Sequence, residues 1–127
     1  MPAYNSDGFD PPAPFAWVEV RNSATGETLS NIPMLMDTGA DVTLVPQTVL
    51  NHLRLTPAGD VAYELAGFGG ERRVLAPVHL DVVFLRKTFR GQFLPIDRPW
   101  GILGRNVLNA VPLLLNGPKL VWEEHKG

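Results

Sequence analysis

Alternation of apolar and polar residues with a period of two marks a half-buried strand, and that pattern recurs along this 127-residue chain. Phe15-Ala16-Trp17-Val18-Glu19-Val20 alternates loosely and is rich in strand formers, residues 22–27 supply a turn, and residues 28–36 run back as an apolar strand that ends at Asp37. The two segments predict a hairpin that delivers Asp37. Residues 42–46 form another short apolar strand, and Pro46 followed by residues 47–53 predicts one or two helical turns. Residues 56–60 read as a loop. A meander is expected over residues 61–96, with turns at 67–71 and 86–91. Within Val78-His79-Leu80-Asp81-Val82 the alternation puts His79 and Asp81 on the solvent face. Trp100-Gly101-Ile102-Leu103-Gly104 leads into a short helix over residues 105–111, and Asn116-Gly117 is a hairpin turn before a last strand, Leu120-Val121-Trp122. The first fourteen residues hold Pro2, Pro11, Pro12 and Pro14 with little apolar material. They predict a mobile or extended arm, residues 1–14, ahead of a single domain, residues 15–127.

Composition strengthens the β reading. With 12 Gly and 12 Pro the chain turns often and has little room for long helices, and 45% apolar against 19% charged residues is an ordinary core-forming balance. The formal charge of −2 leaves no net field to hold a nucleic acid or an anionic membrane, so neither is expected as a partner. The absence of cysteine removes disulfides, thiolate metal sites and a Cys nucleophile. His52, His79 and His125 show no helix-face ligand spacing, so no metal and no cofactor are expected. No apolar run approaches the ~18 residues of a membrane span, and the N-terminus has neither a basic start nor an apolar core of a signal segment. The expectation is a soluble protein of the cytoplasm or another intracellular compartment.

Candidate chemistry begins at Asp37-Thr38-Gly39, which follows the apolar run Ile32-Pro33-Met34-Leu35-Met36 directly. A carboxylate at the end of a buried strand sits where desolvation acts on it. Downstream, Ile102-Leu103-Gly104 is followed by Arg105 and Asn106, and Gly67-Phe68-Gly69-Gly70 lies between the two segments. Over residues 15–116 these motifs, in this order, resemble the retropepsin-like (retroviral-type) aspartic proteases. The resemblance implies an all-β fold, a closed antiparallel barrel-like acid protease domain with one or two short helices, active as a two-fold dimer. It also implies an aspartic endopeptidase acting on extended peptide or protein segments.

Such chemistry needs two facing carboxylates sharing one proton: one takes a proton from the attacking water and the other polarises the scissile carbonyl. This chain has one Asp-Thr-Gly and no second motif, so the inference is a homodimer with one catalytic Asp37 from each protomer. Supporting roles follow by resemblance. Thr38 hydrogen-bonds across the two-fold, Gly39 admits the substrate backbone, Asp41 pairs with Arg105, and Asn106 satisfies backbone groups at the late helix start. Gly67, Phe68, Gly69 and Gly70 form the tip of a flap that opens for a polypeptide. The flap departs from viral relatives in the charges of Glu71, Arg72 and Arg73, read as a solvated hairpin face or as a selector of polar or acidic substrate groups. Arg86, Lys87 and Arg90 read as a solvated hairpin tip. The chain also continues past Leu115, which predicts an interface built from a C-terminal hairpin of each protomer.

Two other classes remain open on sequence alone. A catalytically silent dimeric peptide-binding or dimerisation module shares the same motifs. A nucleotide-binding protein using Gly67-Phe68-Gly69-Gly70 lacks the phosphate-loop Lys-Ser/Thr, and its glycines lie between strands instead of opening a helix.

Ala40 yields a pH prediction. Pepsin-like relatives often carry a hydroxyl residue at this place, which donates to the catalytic carboxylates and favours their charged form, whereas alanine donates nothing. The expected optimum is mildly acidic, and Ala40→Ser is expected to move it downward; a pH–rate profile with an unchanged or higher optimum contradicts this.

Overall fold

Side-chain alternation builds the barrel wall. In the strand Ala13–Arg21, Ala16, Val18 and Val20 are buried while Trp17 and Glu19 are exposed, and in Thr28–Met36 the inward positions are Ile32, Met34 and Met36. The computed structural model describes residues 2–57, 63–66 and 72–126. In chain order its elements are β1 (Tyr4–Asn5), β2 (Ala13–Arg21), β3 (Thr28–Met36), β4 (Leu44–Pro46), α1 (Gln47–His52), β5 (Tyr63–Ala66), β6 (Arg72–Leu75), β7 (Val78–Phe84), β8 (Lys87–Ile96), β9 (Gly101–Leu103), α2 (Arg105–Leu108), β10 (Leu113–Asn116) and β11 (Val121–Glu124).

The main sheet runs β1-β2-β3-β9-β4-β8-β7, and β2 also pairs with β7, which closes β2, β3, β9, β4, β8 and β7 into a barrel. The closed all-β architecture with two short helices is the one expected. Its pairing is mostly antiparallel, with two parallel contacts, β3 with β9 and β4 with β8. Inside lie Met34, Val45, Leu80, Val82 and Leu103, in one cluster with Leu50 and Leu53 from the α1 region and Val107 from α2. Burial of this kind stabilises by about 25 cal/mol per Å² of apolar surface. Asn22 fixes the α1 end to the β2–β3 turn: its side-chain amide donates to the Leu53 carbonyl (2.9 Å), and its Oδ1 accepts from Ala24 N–H (3.0 Å). β5 and β6 form a separate antiparallel ribbon, with Ala66 opposite Arg72. The flap-tip residues Gly67, Phe68, Gly69 and Gly70 lie outside the described residues.

Two expectations, for the last strand and for Asp81, need correction, and the N-terminal segment, expected to be mobile or extended, is extended and paired: Tyr4 and Asn5 lie opposite Pro14 and Ala13, and Ala3 bridges Val121. Prolines withhold donors at four of its positions, yet Tyr4 keeps its N–H and donates it to the Leu120 carbonyl (2.8 Å), while Trp122 N–H reaches the Pro2 carbonyl (3.0 Å). The last strand begins at Val121, since Leu120 has φ +54° and belongs to the turn. Asp81, on the outer face, is not solvated but 1% exposed. Arg90 Nε and Nη2 donate to its two oxygens (3.1 and 3.4 Å), and Arg21 approaches from β2 (4.0 Å), directly across the ladder in both cases. The hydrogen bond and charge of Asp81 raise the Arg90 pKa above the usual arginine value. Arg90 therefore covers a carboxylate, whereas Arg86 sits at the exposed tip and meets Glu124 (3.3 Å). No helix among the described residues is long and apolar enough to cross a membrane.

Trp122 is the buried anchor of the C-terminal hairpin: its indole N–H donates to the Phe15 carbonyl (2.7 Å), and its ring lies 5.9 Å from that of Phe84. Trp122→Ala is expected to destabilise the fold by about 3–5 kcal/mol, measured by urea unfolding; a change below about 1 kcal/mol contradicts this anchoring role.

Candidate active site

Asp37 is set by continuation of the β3–β9 ladder. Met34, Leu35 and Met36 lie beside Gly101, Ile102 and Leu103, and the Asp37 N–H extends the pairing to the Leu103 carbonyl at 3.0 Å. The chain then turns sharply: Ala40 N–H returns to the Asp37 carbonyl (3.1 Å), and Gly39 N–H donates to Asp37 Oδ1 (2.9 Å). A Cβ on Gly39 would stand 3.1 Å from the same carboxylate oxygen, a contact that a side chain there makes only if the carboxylate gives way.

The other half of the clamp comes from the turn after β9. Arg105 N–H donates to the Ala40 carbonyl (2.8 Å), and Arg105 Nη1 to the Thr38 carbonyl (2.6 Å). A Cβ on Gly104 would overlap the Val42 carbonyl, so the two segments approach as closely as they do only without a side chain there. Thr43 lies between them, fully buried. Its hydroxyl donates to Asn106 Oδ1 (2.7 Å) and accepts from Gly104 N–H (3.0 Å). This satisfies a buried donor that no strand partner takes.

Register places an apolar surface beside the carboxylate. Leu35 faces Phe15 on one side and Ile102 on the other, and Ile102 faces Leu44. Cross-strand partners share a sheet face, and residues two apart along a strand do too, so Asp37 continues the face of Leu35. Leu35, Leu44 and Ile102 are half-buried, unlike the inward Met34, Met36 and Leu103. Phe15 lies on the same outer face yet is buried, because Phe9 and Trp100 pack on it at ring-centroid distances of 5.1 and 6.0 Å.

Six of the expected site residues gather around one loop. Asp37, Thr38, Gly39, Ala40, Arg105 and Asn106 are joined by hydrogen bonds, directly or through Thr43. Two roles differ from expectation. Arg105 makes no ion pair with Asp41 within 4.0 Å among the described residues; its guanidinium goes to the Thr38 carbonyl, and Asp41 is exposed. Asn106 acts on the backbone through the Thr43 hydroxyl instead of directly. Thr43 itself was not among the expected site residues. Its signal is a hydroxyl within the apolar run of residues 42–46, a place where a buried polar group needs a partner.

No family model matches this chain, and no curated protein matches it by sequence. Among solved structures it is similar to the EIAV protease complexed with the inhibitor HBY-793, with a TM-score of 0.57 and 21% identity. The likeness covers 77% of this chain and 86% of that one. The chain has a retropepsin-like fold.

The clamp has a measurable cost of disruption. Thr43→Val leaves the Gly104 N–H buried without a partner and is expected to destabilise by about 1–3 kcal/mol. Gly104→Ala forces the Val42 backbone aside at a comparable cost of about 1–3 kcal/mol. Thermal unfolding with an unchanged midpoint in both variants would refute the clamp.

Proposed function

We propose that this protein is an aspartic endopeptidase assembled as a homodimer, hydrolysing peptide bonds with a water activated by two Asp37 side chains, one from each protomer. The observation that carries this reading is the half-buried Asp37 at the end of a core strand, its loop held by Leu103, Ala40 and Arg105, beside the apolar row of Leu35, Ile102 and Leu44. One carboxylate supplies half of the required pair. Two such loops related by a two-fold axis bring the halves together.

In this mechanism one Asp37 is ionised and takes a proton from the water as it attacks, while its protonated mate donates to the carbonyl oxygen. The tetrahedral intermediate collapses with proton delivery to the departing amine, and no covalent enzyme intermediate forms. An extended substrate lies over the Leu35, Ile102 and Leu44 row, pairing its backbone in the manner of strand addition. The β5–β6 ribbon takes the part of the flap that covers the substrate in this reading. Thr38 reaches across the two-fold to the partner loop. Support for a second copy comes from the β10–β11 hairpin, where Leu114, Leu115 and Leu120 are exposed and β10 has one edge without a partner among the described residues. An unpaired apolar edge is a ready surface for strand pairing with another chain.

The test is incubation of the purified protein with denatured protein substrates across pH 4–7, with and without a transition-state inhibitor of aspartic peptidases. Asp37→Asn is expected to reduce cleavage by at least about a hundredfold. Cleavage that survives the substitution contradicts the mechanism, and an inactive wild type supports a silent peptide-binding module on the same fold.

A further inference from the structure

Beyond the clamp and the apolar row, one cation stands on the face that carries Asp37. The Arg98 guanidinium lies 5.3 Å from the centroid of the Trp100 ring. Among the described residues no carboxylate stands within 4.0 Å of it, neither Asp97 beside it in the chain nor Asp10 next to Phe9. Its aromatic support is fixed. Trp100 packs edge-on against Phe9 (5.3 Å) and Phe15 (6.0 Å), and those two rings meet at 5.1 Å. Two rings from the N-terminal part of the chain, distant in sequence from Trp100, thus hold the ring that carries the cation, which lowers the ordering cost of presenting it to a ligand.

The strand register gives its distance from the chemistry. Continuing the β3–β9 pairing backward puts Trp100 level with Pro33, four residues before Asp37. At ~3.3 Å per residue this is roughly 13 Å along the strand. Because Phe15 pairs with Leu35 and Leu35 with Ile102, the stack lies on the outer face of the apolar row. The other described charges near the loop are Asp41, which is acidic and exposed, and Arg105, whose guanidinium is engaged by the Thr38 carbonyl. An extended peptide advances about 3.3 Å per residue, so side chains two to four residues from the cleaved bond come within reach of Arg98.

We propose that Arg98, mounted on the Phe9–Phe15–Trp100 stack, selects substrates carrying Asp or Glu two to four residues from the cleaved bond. This rests on the peptidase reading above and assigns that site a substrate class. Charge, not shape, does the selecting, so the preference weakens as salt screens the pair.

The test uses short fluorogenic peptides with a Leu-Phe centre that differ only in Glu, Gln or Lys at those positions. Two readouts are taken, kcat/KM with the wild-type protein and Kd with the Asp37→Asn variant by fluorescence anisotropy. The expected preference of Glu over Gln is about three- to fivefold, the size an exposed ion pair supports. It is largest against Lys, shrinks in high salt and inverts in Arg98→Glu. A Glu-to-Lys ratio of one in both readouts, including the case where neither peptide binds, overturns the assignment, as does a ratio that Arg98→Glu leaves unchanged. If the wild type cleaves nothing while Asp37→Asn still binds the Glu peptide more tightly, the peptidase reading fails and the Arg98 assignment stands.

Discussion

At Gly101 and Gly104, which flank Ile102 and Leu103, the chain comes closer to its neighbours than a side chain permits, and the geometry of the Asp37 loop depends on it. A Cβ at Gly101 would overlap Met34 Sδ and the Leu44 carbonyl, and one at Gly104 would overlap the Val42 carbonyl. With both side chains absent, the Leu103 carbonyl reaches the Asp37 N–H and the Arg105 N–H reaches the Ala40 carbonyl. The loop is then tied to the end of β9 and the start of α2, neither adjacent to it in sequence. A carboxylate held in this way is positioned before any ligand arrives, which is what electrostatic and acid–base catalysis require of a scaffold.

The same closeness explains why Arg105 serves the loop backbone. Its guanidinium lies against the Thr38 carbonyl, and a charged donor to a carbonyl is a stronger contact than a solvated ion pair. Asp41 is left exposed. At the opposite end of the chain, Trp122 fastens the β10–β11 hairpin to the barrel through the Phe15 carbonyl while its leucines stay in solvent. One part of the hairpin is thereby structural, and the other is exposed.

Much of this was legible in the sequence because it rests on local rules. The alternation in β2 and β7, the apolar run into Asp37, and the glycines flanking Ile102-Leu103 each report a single strand or turn. The contacts that escaped it are those that two distant segments make jointly. Four prolines left residues 1–14 either mobile or extended, and which of the two holds depends on Tyr4 finding Leu120, 116 positions away. Asp81 looked solvated because alternation gives its face and not the two arginines that cover it. Thr43 carried no motif, and its role appears only once Gly104 and Asn106 are brought to it. The flap tip, legible as a glycine cluster, lies outside the described residues.

The central claim is that each chain contributes half of a shared site, and mixing tests it most directly. Wild-type and Asp37→Asn chains are co-expressed in equal amounts, the total protein is held constant, and peptidase activity is measured. If one Asp37 from each of two chains is needed, only wild-type pairs cleave, and activity falls to about one quarter of that of the unmixed wild type, following the square of the wild-type fraction. Activity of about one half, linear in that fraction, would show that each chain works alone and would contradict the account.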